Sequence, residues 1–225
     1  MQAVGVVDEQ LLIDEQPSAR VVCPAGLVPL PGQYVMAHAE NSDDPLATIL
    51  FAAGTDDAGF VCAPPIHPRW SPGDRLRMRG PLGRAFMMPP VVRRVALVPL
   101  GGGLAVLRPL LEEAVRRDAA VVVVSDVSWS ELPLQVEVQP LSAVRDVLRW
   151  SDYAAFDVEG ARPLAPFKDW QADASVTTAQ VLVRMPMPCG GIADCGVCTV
   201  STTSGPKLAC KDGPVFEFAS LILEG

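Results

Sequence analysis

A chain of 225 residues, 49% of them apolar, is long enough for one large domain or for two to three small ones with a sizeable buried core. A net charge of −8 argues against a nucleic-acid surface, because phosphate neutralisation needs clustered Lys and Arg. No apolar run approaches the ~20 residues needed to cross a bilayer, and the start MQAVGVVDEQ carries acids where a signal peptide needs a basic and then an apolar stretch. A cytoplasmic protein with no membrane insertion and no nucleic-acid partner is therefore expected.

The 22 prolines and 18 glycines imply short elements separated by frequent turns. From the start to about Pro90, β-like runs alternate with breakers: residues 10–16 (QLLIDEQ), 18–26, 32–40, 46–54, 59–65 and 74–80. Such spacing predicts a small antiparallel barrel or sandwich over residues 1–92. The character changes at Arg93. RRVALVPLGGG reads as a buried strand running into a glycine turn, residues 104–119 have helical apolar spacing, and AAVVVVSD is a second buried strand. Strand, helix, strand predicts a parallel α/β domain over residues 93–174. A short helix at Ala143–Trp150 and a third strand at Tyr153–Val158 continue it, and Glu159–Ala174 reads as a poor helix or a linker. TAQVLVRMP is then a strand leading directly into a cysteine loop, taken as a separate domain over residues 175–225.

Of six cysteines, Cys23 and Cys62 stand alone and read as ordinary core residues, whereas Cys189, Cys195, Cys198 and Cys210 follow the spacing C-x5-C-x2-C-x11-C. In a reducing compartment such crowding points to a metal or redox site rather than a disulfide framework. A [2Fe–2S] cluster takes four thiolates, and three from one tight loop plus a fourth returning on a hairpin is the plant-type arrangement. Gly190, Gly191 and Gly196 let the backbone wrap closely around a cluster and aim amides at its sulfurs. Zinc is the competing reading, but zinc knuckles usually present paired C-x2-C units, and here there is one such pair. His38 and His67 have no carboxylate or serine arrangement around them and read as packing or surface residues. No nucleophile–base pair and no acid–base dyad is evident, so no catalytic residue is assigned.

MPCGGIADCGVC followed by LACKDGPVF resembles the cluster-binding region of the electron-transfer subunit of class 1B dihydroorotate dehydrogenase, within the ferredoxin–NADP reductase-like group. PGQYVM, PGDRLRMRGPLGRAF and VALVPLGGGLAVLRPLLEEA resemble that family's barrel strand, its GPLG segment and its glycine turn with the following helix, in the right order. The resemblance implies a β-barrel flavin domain, a nicotinamide-type α/β domain and a [2Fe–2S] domain that passes electrons to a flavin-containing catalytic oxidoreductase subunit. It also carries departures. Asp44-Pro45-Leu46-Ala47-Thr48 stands where the family has Arg-Pro-x-Ser, and Ala63–Pro68 replaces a Gly-Thr turn that supports the flavin. An acid repels a flavin pyrophosphate, and prolines lack amides to offer it. Ala105 replaces the next glycine after Gly101-Gly102-Gly103, and Phe156-Asp157-Val158 replaces the usual Cys-Gly-Pro. The first cysteine gap is one residue longer than usual, which shifts the loop without removing a ligand.

The expectation is an electron relay with a [2Fe–2S] cluster, and the departures speak against bound FAD and NAD(P) without deciding either. The alternatives are a complete reductase subunit, in which FAD splits a hydride pair from NADH, and a mainly structural subunit of an oxidoreductase complex.

Overall fold

The computed structural model describes residues 1–127, 129, 132–160, 167–171, 173 and 178–222. Strands β1 (Gln2–Ile13), β2 (Gln16–Val22), β3 (Tyr34–Ala39), β4 (Thr48–Asp56), β5 (Gly59–Cys62) and β6 (Arg75–Leu82) close an antiparallel barrel in the order β1-β2-β5-β4-β3-β6. Period-two alternation builds its interior: Val35 and Ala37, Leu50 and Ala52, Leu76 and Met78 all point inward. Strands β3 and β4 bury their other face as well. Tyr34, Met36, Phe51 and Ala53 join a second core shared with the rest of the chain. A strand buried on both faces explains why YVMA is apolar without alternation.

The expected first strand at residues 10–16 covers the end of β1, a two-residue turn and the first residue of β2. β1 starts at Gln2, and Asp14 and Glu15 turn the chain with φ of 50° and 62°. Two consecutive left-handed residues match the twist of a two-residue hairpin. Asp-Glu is not a usual pair for that turn, and the apolar Leu11–Ile13 next to it masks the break.

Beside the barrel lie β7 (Arg94–Pro99), β8 (Ala120–Val124), β9 (Val136–Gln139), β10 (Tyr153–Glu159) and β11 (Thr178–Arg184), all parallel. The hairpin β12 (Thr199–Thr202) and β13 (Gly205–Leu208) forms its own two-stranded sheet, and β14 (Val215–Glu217) adds antiparallel to β11. The large sheet runs β14-β11-β10-β7-β8-β9. Helix α1 (Arg108–Arg116) follows β7, α2 (Val144–Trp150) precedes β10, and α3 (Phe167–Gln171) precedes β11. Helix α1 buries Leu110, Leu111 and Ala114 at helical spacing and carries Pro109 in its first turn, where no backbone donor is lost. Chain direction across the sheet reverses between β7 and β10, so right-handed crossovers place α1 and α2 on opposite faces.

The sheet runs past the domain boundary expected at residue 175. Val181, Leu182 and Val183 are buried on both faces of β11, which pairs with β10 on one side and β14 on the other. The cysteine segment is thus an excursion, residues 185–214, between two strands of the central sheet. Within the stretch read as a poor helix or linker, residues 167–171 are helical; residues 161–166, 172 and 174 lie outside the described residues.

No helix among the described residues is long and apolar enough to cross a membrane.

Candidate functional site

The cysteine loop leaves β11 through Met185–Pro188 and returns along β13, so a sheet strand fixes one end and a hairpin the other. Between them the backbone repeatedly takes the left-handed region: φ is 68° at Gly190, 73° at Gly191, 65° at Ala193 and 69° at Gly196. Glycine adopts this without steric penalty, which is why the sequence spends three on so short a loop. At Gly191 there is a second reason. A Cβ there would stand 2.8 Å from the Tyr34 hydroxyl.

The wrapped loop brings the thiols together in two pairs. Cys189 lies in hydrogen-bonding reach of Cys195, and Cys198 in reach of Cys210. The backbone amides of Asp194 and Cys195, the Cys195 thiol and the amide of Ile192 favour negative charge at the Cys189 sulfur and bring its pKa down to about 6. At Cys210 the balance is opposite. Burial and the neighbouring Cys198 push its thiol up to about 11, against one donated amide from Ala193. The two pairs also differ in exposure: Cys198 and Cys210 are buried, Cys189 is half-buried and Cys195 faces solvent. Among the described residues, no three His, Cys, Asp or Glu side chains converge on one point as a single ion requires. Four thiols on one loop and its returning hairpin match the donor set of a [2Fe–2S] cluster, which takes two thiolates on each iron.

The barrel holds this loop from beneath. Tyr34 on β3 donates from its hydroxyl to the Cys210 carbonyl at 3.0 Å. Burial raises the Tyr34 pKa, so the phenol keeps its proton. Arg79 on β6 donates to the Gly190 carbonyl. After β6, Arg84 donates its amide to Gly213 at 2.6 Å, and Gly83, with φ of 77°, lies so close to Pro214 that a Cβ would collide with it. Sequence reasoning did not single out Tyr34 or Arg79. Their partners are backbone carbonyls far along the chain, and no local spacing encodes such contacts.

The apolar residues around the loop divide. Met187 is buried in the shared core, whereas Ile192 is 65% exposed and Val197 is exposed beside Cys195. The isolated Cys23 and Cys62 sit in the barrel interior, where burial raises both thiol pKa values.

Of the residues that depart from the family's flavin contacts, Asp44 accepts from Ser42, pairs with Arg69 and lies 3.3 Å from His67. The Ser42 hydrogen bond and the Arg69 guanidinium hold its carboxyl below the usual range. An ionised carboxylate engaged by Arg69 does not fit a pyrophosphate. Next to it, Leu46, Ile49, Phe51, Pro64, Pro65 and Met187 line a mostly apolar cavity of about 550 Å³. On the α/β side, Gly101–Gly103 survive as a turn, with Asp157 and Arg184 packed against Gly101.

Residues 186–222 match the family model of the iron-sulfur cluster binding domain of dihydroorotate dehydrogenase B. The whole chain is similar in fold to an NADH-dependent reduced ferredoxin-NADP oxidoreductase described for flavin-based electron bifurcation, with a TM-score of 0.76 at 19% identity over 98% of this chain and 90% of that one. Phthalate dioxygenase reductase, described as a modular structure for electron transfer from pyridine nucleotides to [2Fe–2S], gives a TM-score of 0.57 at 11% identity over 93% and 77%. The ferredoxin reductase in carbazole 1,9a-dioxygenase gives 0.62 at 14% over 78% and 66%. Residues 186–222 thus match a cluster-binding domain of the dihydroorotate dehydrogenase B type, and the chain as a whole has the fold of these reductases.

Proposed function

We propose that this chain relays single electrons through a [2Fe–2S] cluster, held by Cys189, Cys195, Cys198 and Cys210, to or from a flavin-containing catalytic subunit of the dihydroorotate dehydrogenase type. The observation that carries the reading is the gathering of four free cysteines, Cys189 and Cys195 toward solvent and Cys198 and Cys210 buried, within a segment matching a cluster-binding family. When bound, the cluster supplies one-electron chemistry at a potential set by its surroundings. The chain's own contribution is positional. Amides of residues 192, 194 and 195 stabilise negative charge at the Cys189 sulfur, and Tyr34 and Arg79 fix the loop on the barrel. The buried Cys198 and Cys210 keep one side dry, while the exposed Cys195 brings the other to the surface beside Ile192 and Val197, where a partner can approach.

One observation favours the second reading, a complete reductase subunit: the apolar cavity of about 550 Å³ between β4 and Met187 has room for a flat ring system. Against it stands Asp44, whose charge opposes the phosphate end of a dinucleotide. Copurification of the untagged native complex with cofactor analysis of each subunit distinguishes the two. The relay reading expects flavin in the partner alone, and flavin bound stoichiometrically to this chain would overturn it in favour of the reductase.

A further inference from the structure

In sheets of this topology, ligands bind outside the carboxyl ends of the strands where the strand order reverses, with a phosphate resting on the glycine turn and helix N-terminus. Here that point lies between β7 and β10, above Gly101–Gly103. We propose that this chain closes its own dinucleotide site: the Asp14 carboxylate occupies the phosphate position, and the Asp157–Arg184 pair plugs the crevice beyond it.

The Asp14 side chain reaches over from the β1–β2 turn. Its Oδ2 accepts the amide of Leu104 at 3.3 Å, and its Oδ1 accepts from Arg108 in the first turn of α1 at 2.8 Å. A backbone amide just after the glycine turn and a guanidinium at the start of α1 are the two donors an arriving phosphate would need. Both are already engaged by a carboxylate that is largely out of solvent. Arg108 Nε is buried with no partner among the described residues, so the guanidinium holds donor capacity that one carboxylate oxygen does not use.

Deeper in, Asp157 is fully buried at the end of β10. Arg184 from β11 donates to both its oxygens, at 2.8 and 3.2 Å, and to the Gly101 carbonyl. These side chains fill the space directly over Gly101, where even a methyl group would meet them. About 230 Å³ is left, bordered by Asp14, Asp157 and Glu159 against Arg184. That volume is below the usual range for a drug-sized ligand, and the arginines beside it, Arg108 and Arg184, are already paired with carboxylates.

The inference deepens the relay reading, since it removes nicotinamide nucleotides as a source of electrons, but its test reads nucleotide binding rather than iron. Calorimetric titration of the purified chain with NADH, and separately with inorganic pyrophosphate, should give no binding tighter than about 1 mM. Asp14→Ala frees the Leu104 amide and Arg108 and should bind pyrophosphate at least about tenfold more tightly than the unaltered chain, with its circular dichroism unchanged. Should that variant fail to fold, Asp14→Asn keeps the shape without the charge and must show the same gain. Micromolar NADH binding by the unaltered chain, or a folded variant with no gain, overturns the proposal. A chain without iron would sink the relay reading and leave this result standing.

Discussion

The hydroxyl of Tyr34 donates to the carbonyl of Cys210, a buried contact between residues 176 positions apart. It joins the barrel to the inner thiol pair, and the same hydroxyl leaves no room for a side chain at Gly191. Tyr34→Phe removes the donor and strands a buried carbonyl, which costs about 1–3 kcal/mol. The expected outcome is a lower midpoint in thermal unfolding together with faster loss of visible absorbance in air. A variant with unchanged melting and unchanged bleaching would show that the contact does not support the loop.

Cys195→Ser and Cys198→Ser each remove one of four thiolates and should strip iron and bleach the protein. Cys62→Ser alters a buried barrel residue far from the loop in sequence and should lower stability while iron per chain stays constant. Iron analysis of the three variants decides it. Loss of iron in the Cys62 variant at full folding would contradict the assignment of ligands.

Because Asp44 engages Arg69 and His67, the isolated subunit should release no FAD when denatured. Fluorescence of the supernatant reads this directly, and one FAD per chain would restore the reductase reading.

Ile192 and Val197 are exposed next to Cys195, on the side where the loop meets solvent. Ile192→Asp adds a charge to that face, and a dry contact there should weaken markedly while the cluster absorbance persists. Pull-down of the native partner with the spectrum recorded on the same sample tests it. Partner binding and spectrum both unchanged would place the docking face elsewhere.

Much of this architecture is legible in sequence because it is encoded by local periodicity. The period-two runs give the barrel, the valine-rich stretches of β7 and β8 give the parallel sheet, and Leu110, Leu111 and Ala114 give α1. The cysteine loop is legible because its glycines and three of its cysteines fall within ten consecutive positions. The features that escaped notice are tertiary. Strand β14 has three residues and exists through its pairing with β11. Asp14 looks like part of a strand until the turn conformation is seen, and Asp157 meets Arg184 only because β10 and β11 are neighbours. Tyr34 sits in a strand whose sequence explains it fully as barrel and core, so nothing in PGQYVM points to Cys210.

The most direct test of the relay is the metal and acid-labile sulfide content of anaerobically purified chain, measured on one sample. The account predicts about two irons and two sulfides per chain with negligible zinc. One zinc per chain without sulfide would contradict it.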